Sequence, residues 1–254
     1  MFRTSEYSAQ ILWFSVPDTS GRSRMGVLCG VRWLGEWPIS LELASALLSG
    51  ADAQEVVGGV AAKYRHPPRF SQSILGRFAL AQLKERAGAA CSEMSFSITH
   101  SGTQSGQWAI ALGFEDESCG VDLEIDADQE RSLKIVHKFI HEKERPLVEA
   151  SGLSPWAIWC AKEALGKAIG TGLRAPLSQY GLSSVQGRCM SFEKFSRHTA
   201  YAWDLRRSGT APLSAPVASA HLAICIPGPV SLELARIGVL PWFSKLRTQA
   251  EGPV

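Results

Sequence analysis

The stretch Cys119-Gly120-Val121-Asp122-Leu123-Glu124-Ile125 decides how the chain is read. Apolar and acidic residues alternate along it with a period of two, which is the signature of a strand with one face in a core. Val121, Leu123 and Ile125 are expected inward, leaving Asp122 and Glu124 together on the other face. Two adjacent carboxylates repel, and a divalent cation is one way to neutralise them. Magnesium suits such oxygen ligands and keeps open positions for water and phosphate.

Such a strand needs neighbours, and the chain supplies them on both sides. Upstream, Ile11–Val16, Met25–Val31, Met94–Thr99 and Gln107–Leu112 read as strands, the last two as a pair. Ile39–Leu48 has helical spacing, Gly58-Gly59 and His66-Pro67-Pro68 are breakers, and Ser71–Lys84 is a helix with Ile74, Leu75, Phe78, Ala81 and Gln82 on one face. Downstream, helices are expected over Gln129–Ile140 and Ser154–Ile169. Strands follow at Thr199–Leu205 and Ala220–Ile226, joined by a loop at Ser208–Val217. Strands, helix, strands, then strand, helices, strands: the order predicts two similar α/β lobes meeting near residues 113–120.

Composition narrows the class. The chain has 254 residues, 45% hydrophobic and 20% charged, enough to bury a real core. A net charge of +2 does not call for nucleic acid or a membrane surface. Ile11–Val16 is too short to span a bilayer or to serve as a secretory core. The six cysteines show no metal-binding spacing and read as reduced thiols, which points to the cytoplasm. Charge is nonetheless segregated. Val56–Lys84 carries five cations (Lys63, Arg65, Arg69, Arg77, Lys84) and no acid, whereas Glu115–Glu130 carries eight acids and no Lys or Arg. Together the two blocks suit a protein that holds phosphates at one pole and a hard cation at the other.

The second informative stretch is Trp159-Cys160-Ala161-Lys162-Glu163-Ala164-Leu165-Gly166-Lys167. Ser154-Pro155 supplies an N-cap and a first-turn proline. Ile158, Ala161, Leu165, Ala168 and Ile169 form an apolar stripe. Trp156, Trp159, Glu163, Lys167 and Gly170 fall opposite, with Lys162 on the flank of the stripe. Read alone, Glu163 and Lys167 could be an i, i+4 ion pair worth about 0.3–0.5 kcal/mol; two tryptophans beside them suggest that something covers this face.

GVDLE at 120–124 followed by WCAKEALGK at 159–167 resembles the paired motif of the 4′-phosphopantetheinyl transferase superfamily, G-[IV]-D-x-E … W-x-x-K-E-[AS]-x-x-K. Flanking segments are similar too: Ser73-Ile74-Leu75-Gly76-Arg77 to its [ST]-L-L-G-R helix, and Ser97-Ile98-Thr99-His100-Ser101-Gly102 to its [NS]-[LI]-S-H-S-[GD] strand end. Lys138–Glu144 resembles R-F-F-S-x-x-E, and Gly170-Thr171-Gly172-Leu173 fits G-x-G-[LF]. The resemblance runs from about Arg69 to about Tyr180. The chain departs from the pattern at Gln72, where the family often has arginine, and in lacking a G-K-P loop within Arg86–Ser95.

The resemblance implies the longer, pseudo-dimeric, monomeric branch of the family. Its fold is α+β, with two pseudo-symmetric α/β lobes, each a small antiparallel sheet packed with a long helix, and an active site at their interface. The lobes would span 1–115 (nucleotide end of coenzyme A) and 116–227 (metal and catalytic residues), with a tail at 228–254. It implies transfer of 4′-phosphopantetheine from coenzyme A to a serine of an apo acyl- or peptidyl-carrier protein, with release of 3′,5′-ADP. Asp122, Glu124 and Glu163 would ligate Mg2+, with Mn2+ as a substitute. Glu163 would act as general base and Lys167 would steady the pyrophosphate. Arg65, Arg69, Ser73, Thr99, His100 and Lys162 would hold coenzyme A. The alternative is a non-catalytic coenzyme A or carrier-protein binder on the same fold.

Overall fold

The computed structural model describes residues 6–18, 20–48, 53–103, 106–115, 118–125, 138–172, 177–205, 220–228 and 237–248. Four strands make the first sheet: β1 (Tyr7–Pro17), β2 (Ser23–Trp33), β3 (Met94–Thr103) and β4 (Gly106–Glu115). Their order is β1-β2-β4-β3, antiparallel throughout. Five strands make the second: β5 (Gly120–Ile125), β6 (Leu182–Gln186), β7 (Cys189–Phe192), β8 (His198–Asp204) and β9 (Ala220–Pro227). Their order is β5-β9-β8-β7-β6, again antiparallel.

Alternation along the strands builds the layers. Val27, Cys29 and Val31 of β2 pack with Ala109 and Ala111 of β4 against Ile74, Leu75 and Phe78. Those three lie on α3 (Pro67–Ala87), which follows α1 (Leu41–Leu47) and α2 (Ala53–Lys63). The intervening residues Leu28, Ile110 and Leu112 face the other way. They close on Val121, Leu123, Leu222 and Ile224 of the second sheet in a core shared by both lobes. The far side of the second sheet, with Ala200, Ala202, Ala223 and Cys225, is covered by Ile158, Ala161 and Leu165. These belong to α5 (Pro155–Ala168), which is preceded by α4 (Arg145–Ser151). Each Val, Leu, Ile or Phe among them, fully withdrawn from water, contributes about 1.5–3 kcal/mol. The expected fold is therefore present: two α/β lobes, each an antiparallel sheet with one long helix. All six cysteines are free thiols, and among the described residues no helix is long and apolar enough to cross a membrane.

Several local expectations change. Gly58-Gly59 does not break the chain but lies inside α2, where Val57 and Val60 are buried and both glycines have open space beside them. Pro67, read as a breaker, is the first residue of α3 instead. Ala81 is exposed, and Ala79 and Leu83 are buried in its place. The stretch Val239–Thr248 forms α6; Trp242 and Phe243 enter the shared core, and Phe243 stacks on Trp108 at 5.2 Å between ring centroids. Most of the helix expected over Gln129–Ile140 lies outside the described residues. So do the Ser208–Val217 loop, Leu173 and the acids Asp116, Glu117, Asp126, Asp128 and Glu130.

One glycine fixes the spacing on which the site depends. A Cβ on Gly120 would sit 1.8 Å from the Ala164 carbonyl oxygen. Only a residue without a side chain lets β5 lie this close to α5. The strand that carries Asp122 and Glu124 is thereby pressed against the helix that carries Glu163 and Lys167.

Candidate active site

Where the lobes meet, a cleft of about 580 Å³ is lined by residues from both. The first lobe contributes Tyr64, Arg69, Ser73 and Arg77 from α3 and the turn before it, and Ile98, Thr99 and His100 from β3. The second contributes Asp122 and Glu124 from β5, and Trp159, Glu163 and Lys167 from α5. Strand period and helix period explain the acidic side. Residues 122 and 124 share a face of β5, while 159, 163 and 167 recur at four-residue spacing along α5. The helix is held at its start by the Ser154 hydroxyl, which accepts from the Ala157 amide at 3.3 Å, with Pro155 in the first turn.

Electrostatics in the cleft are tense. Lys167 Nζ donates to Asp122 Oδ1 at 2.8 Å and to the Val121 carbonyl at 2.9 Å. Glu163 pairs poorly with this arrangement: burial, and next the Asp122 charge, push its carboxyl up to about 7 despite Lys167. Asp122 Oδ2 is buried with no hydrogen-bond partner. An orphaned carboxylate oxygen costs free energy unless a cation or donor meets it. Both observations describe excess negative charge, and both fit a divalent cation held by Asp122, Glu124 and Glu163. Among the described residues, no three His, Cys, Asp or Glu side chains are set as a ready metal cage. Lys167 occupies Asp122 Oδ1 and leaves Oδ2 as the open oxygen of that carboxylate. His100 is open to the cleft, yet the surrounding walls, and then Lys167, hold its imidazole below the usual histidine range.

The family model of the 4′-phosphopantetheinyl transferase superfamily matches residues 118–225, the span of the second lobe. Over residues 118–225 the chain is similar to that superfamily. No curated protein matches the chain. The superfamily match contains Asp122, Glu124, Glu163 and Lys167, so the carboxylates and the lysine that face the cleft lie within the matched stretch. Arg69, Ser73, Thr99 and His100 come from outside it and reach the same cleft through the fold.

Lys162 and Arg65 depart from what the superfamily resemblance implies. Lys162 does not reach the cleft. It is fully buried, with Nζ donating to the Phe139 carbonyl at 2.6 Å and to both Glu144 carboxylate oxygens at 2.8 Å. Glu144 also accepts from the amides of Leu182 and His141, each at 2.7 Å, so one carboxylate ties α5 to two other segments. A side chain closed in this way has no hand for a phosphate. Arg65 is exposed and does not line the cleft; Arg77, one turn beyond Ser73, does. Its Nη1 donates to the Ser73 hydroxyl at 2.5 Å and to the Ser73 carbonyl at 3.2 Å. The four-residue spacing of Ser73 and Arg77 was a sequence signal for this pairing. Nothing comparable announced Tyr64. Trp156, expected opposite the apolar stripe on a covered face of α5, is buried at 7% exposure.

Proposed function

We propose that the protein transfers the 4′-phosphopantetheine arm of coenzyme A to a serine of an apo acyl- or peptidyl-carrier protein, releasing 3′,5′-ADP. The observation that carries this reading is the single cleft that sets three carboxylates of one lobe opposite Arg69, Arg77 and His100 of the other. A polyanion with a diphosphate at one end and a further phosphate at the other matches that distribution of charge.

Asp122, Glu124 and Glu163 would hold a divalent ion, magnesium or manganese, against the diphosphate. When bound, the ion neutralises charge that builds on the phosphate oxygens. The chain's own residues do the rest. Arg69 and the Ser73–Arg77 pair grip the nucleotide phosphates, and His100 donates to them. The carrier serine Oγ attacks the phosphorus that bears pantetheine. A new O–P bond forms as the bond from that phosphorus to the oxygen bridging the two phosphates breaks, and the electron pair leaves with 3′,5′-ADP. Glu163 takes the serine proton. Lys167, held beside the carboxylates by Asp122 Oδ1 and the Val121 carbonyl, would set its positive charge against the departing phosphate. No enzyme nucleophile is needed; positioning and electrostatics carry the reaction.

Intact-mass analysis of apo acyl- and peptidyl-carriers, incubated with the protein, coenzyme A and magnesium, tests this directly. At least one carrier should gain the mass of a single phosphopantetheine, with equimolar 3′,5′-ADP. Tight binding of coenzyme A without a mass change on any carrier would favour the non-catalytic binder.

A further inference from the structure

Among the described residues the two sheets share no backbone–backbone hydrogen bond, yet β3 and β5 are joined by a ladder of side chains. Ser97, Thr99 and Ser101 alternate along β3 and so share one face. Their hydroxyls accept the amides of Val121, Leu123 and Ile125 at 3.1, 3.2 and 3.0 Å, in the same order along β5. All three are buried. Hydroxyl oxygens thus stand where the carbonyls of a paired strand would stand, and they fix the register of one lobe against the other.

The middle rung does more than the outer two. A hydroxyl has one proton to give, and Thr99 gives it to Asp122 Oδ1 at 3.1 Å while accepting the Leu123 amide. Thr99 is 3% exposed. Its single proton goes to Asp122, so it has none left to give a phosphate. With Oδ1 fixed by Thr99 and Lys167, Oδ2 is the oxygen of Asp122 that has no partner.

We propose that Thr99 is a positioning residue: its hydroxyl sets the rotation of the Asp122 carboxylate, and so presents Oδ2 to the divalent ion. The proposal rests on the ion site described under Proposed function. Partners in the outer shell of a metal site are worth about 10–100-fold in metal affinity.

The test is manganese binding to the whole chain, followed by electron paramagnetic resonance, alongside thermal melting. Thr99→Val removes the hydroxyl at nearly constant volume and should weaken manganese binding about 10–100-fold. Thr99→Ser should bind within about threefold of the parent, since it keeps the donor. Ser101→Ala breaks a rung that does not touch Asp122; it should lower the melting temperature and leave manganese affinity unchanged. Should Thr99→Val fail to fold, Thr99→Cys, with only a weak donor, takes its place and should also weaken binding. Parent-like affinity in the valine or cysteine variant, or equal weakening by Ser101→Ala, overturns the role of Thr99 alone. A parent protein that binds no manganese, with or without coenzyme A, overturns the ion site itself and the proposal with it.

Discussion

Replacing Asp122 by alanine is expected to lower kcat/KM for carrier modification by about 10²–10³-fold, the equivalent of several kcal/mol of charge stabilisation in the transition state. The side chain has three tasks at once: it anchors Lys167, accepts from Thr99 and leaves Oδ2 without a partner. Asp122→Asn separates them. The amide keeps the shape and can still bond, so melting should shift little while the loss of activity remains. Near-parental turnover of Asp122→Ala at saturating magnesium would remove Asp122 from the ion site. A collapse of Asp122→Asn on heating, with normal specific activity below the transition, would make Asp122 a structural residue only.

Glu144→Ala is expected to destabilise the fold by about 3–5 kcal/mol, because it strands a buried cation. Lys162 is fully enclosed, and its burial already holds the ammonium below the usual lysine range against the pull of Glu144. Without Glu144 the ammonium keeps only the Phe139 carbonyl, and the Leu182 and His141 amides lose their acceptor. Lys162→Met combined with Glu144→Gln should recover part of the loss, since removing both charges avoids the unpaired one. Chemical denaturation measures this. A shift below about 1 kcal/mol, the range of a surface ion pair, would mean the pair is solvated. Folded Lys162→Ala without activity would return Lys162 to the phosphate site.

The contrast between Asp122 and Lys162 shows what could be read in advance. Asp122, Glu124, Glu163 and Lys167 were legible because local periods place them: a strand puts 122 and 124 on one face, and a helix stacks 163 over 167. Lys162 was not, because its partner Glu144 lies on a different segment and no period links them. The same holds for Thr99, whose hydroxyl looked free for a ligand until β5 was seen to lie across it. Strands β2, β4, β5 and β9 announced themselves through long apolar or alternating runs. β6 and β7 did not: Leu182–Gln186 is half polar, and Cys189–Phe192 spans only four residues. The α2 glycines misled because helix-breaking tendency is weak, about 1 kcal/mol each, against burial of Val57 and Val60. The tail carried its meaning in Trp242 and Phe243, whose partner Trp108 is remote in sequence.

One divalent ion, gripped by carboxylates from β5 and α5, underlies the expectations for activity. The most direct measurement is the stoichiometry and affinity of manganese on the unmodified protein with coenzyme A present, compared with Glu163→Gln. One tight ion per chain, weakened at least tenfold by the glutamine, is expected. Unchanged binding in Glu163→Gln would place the ion elsewhere and contradict the convergence of strand and helix on a single metal.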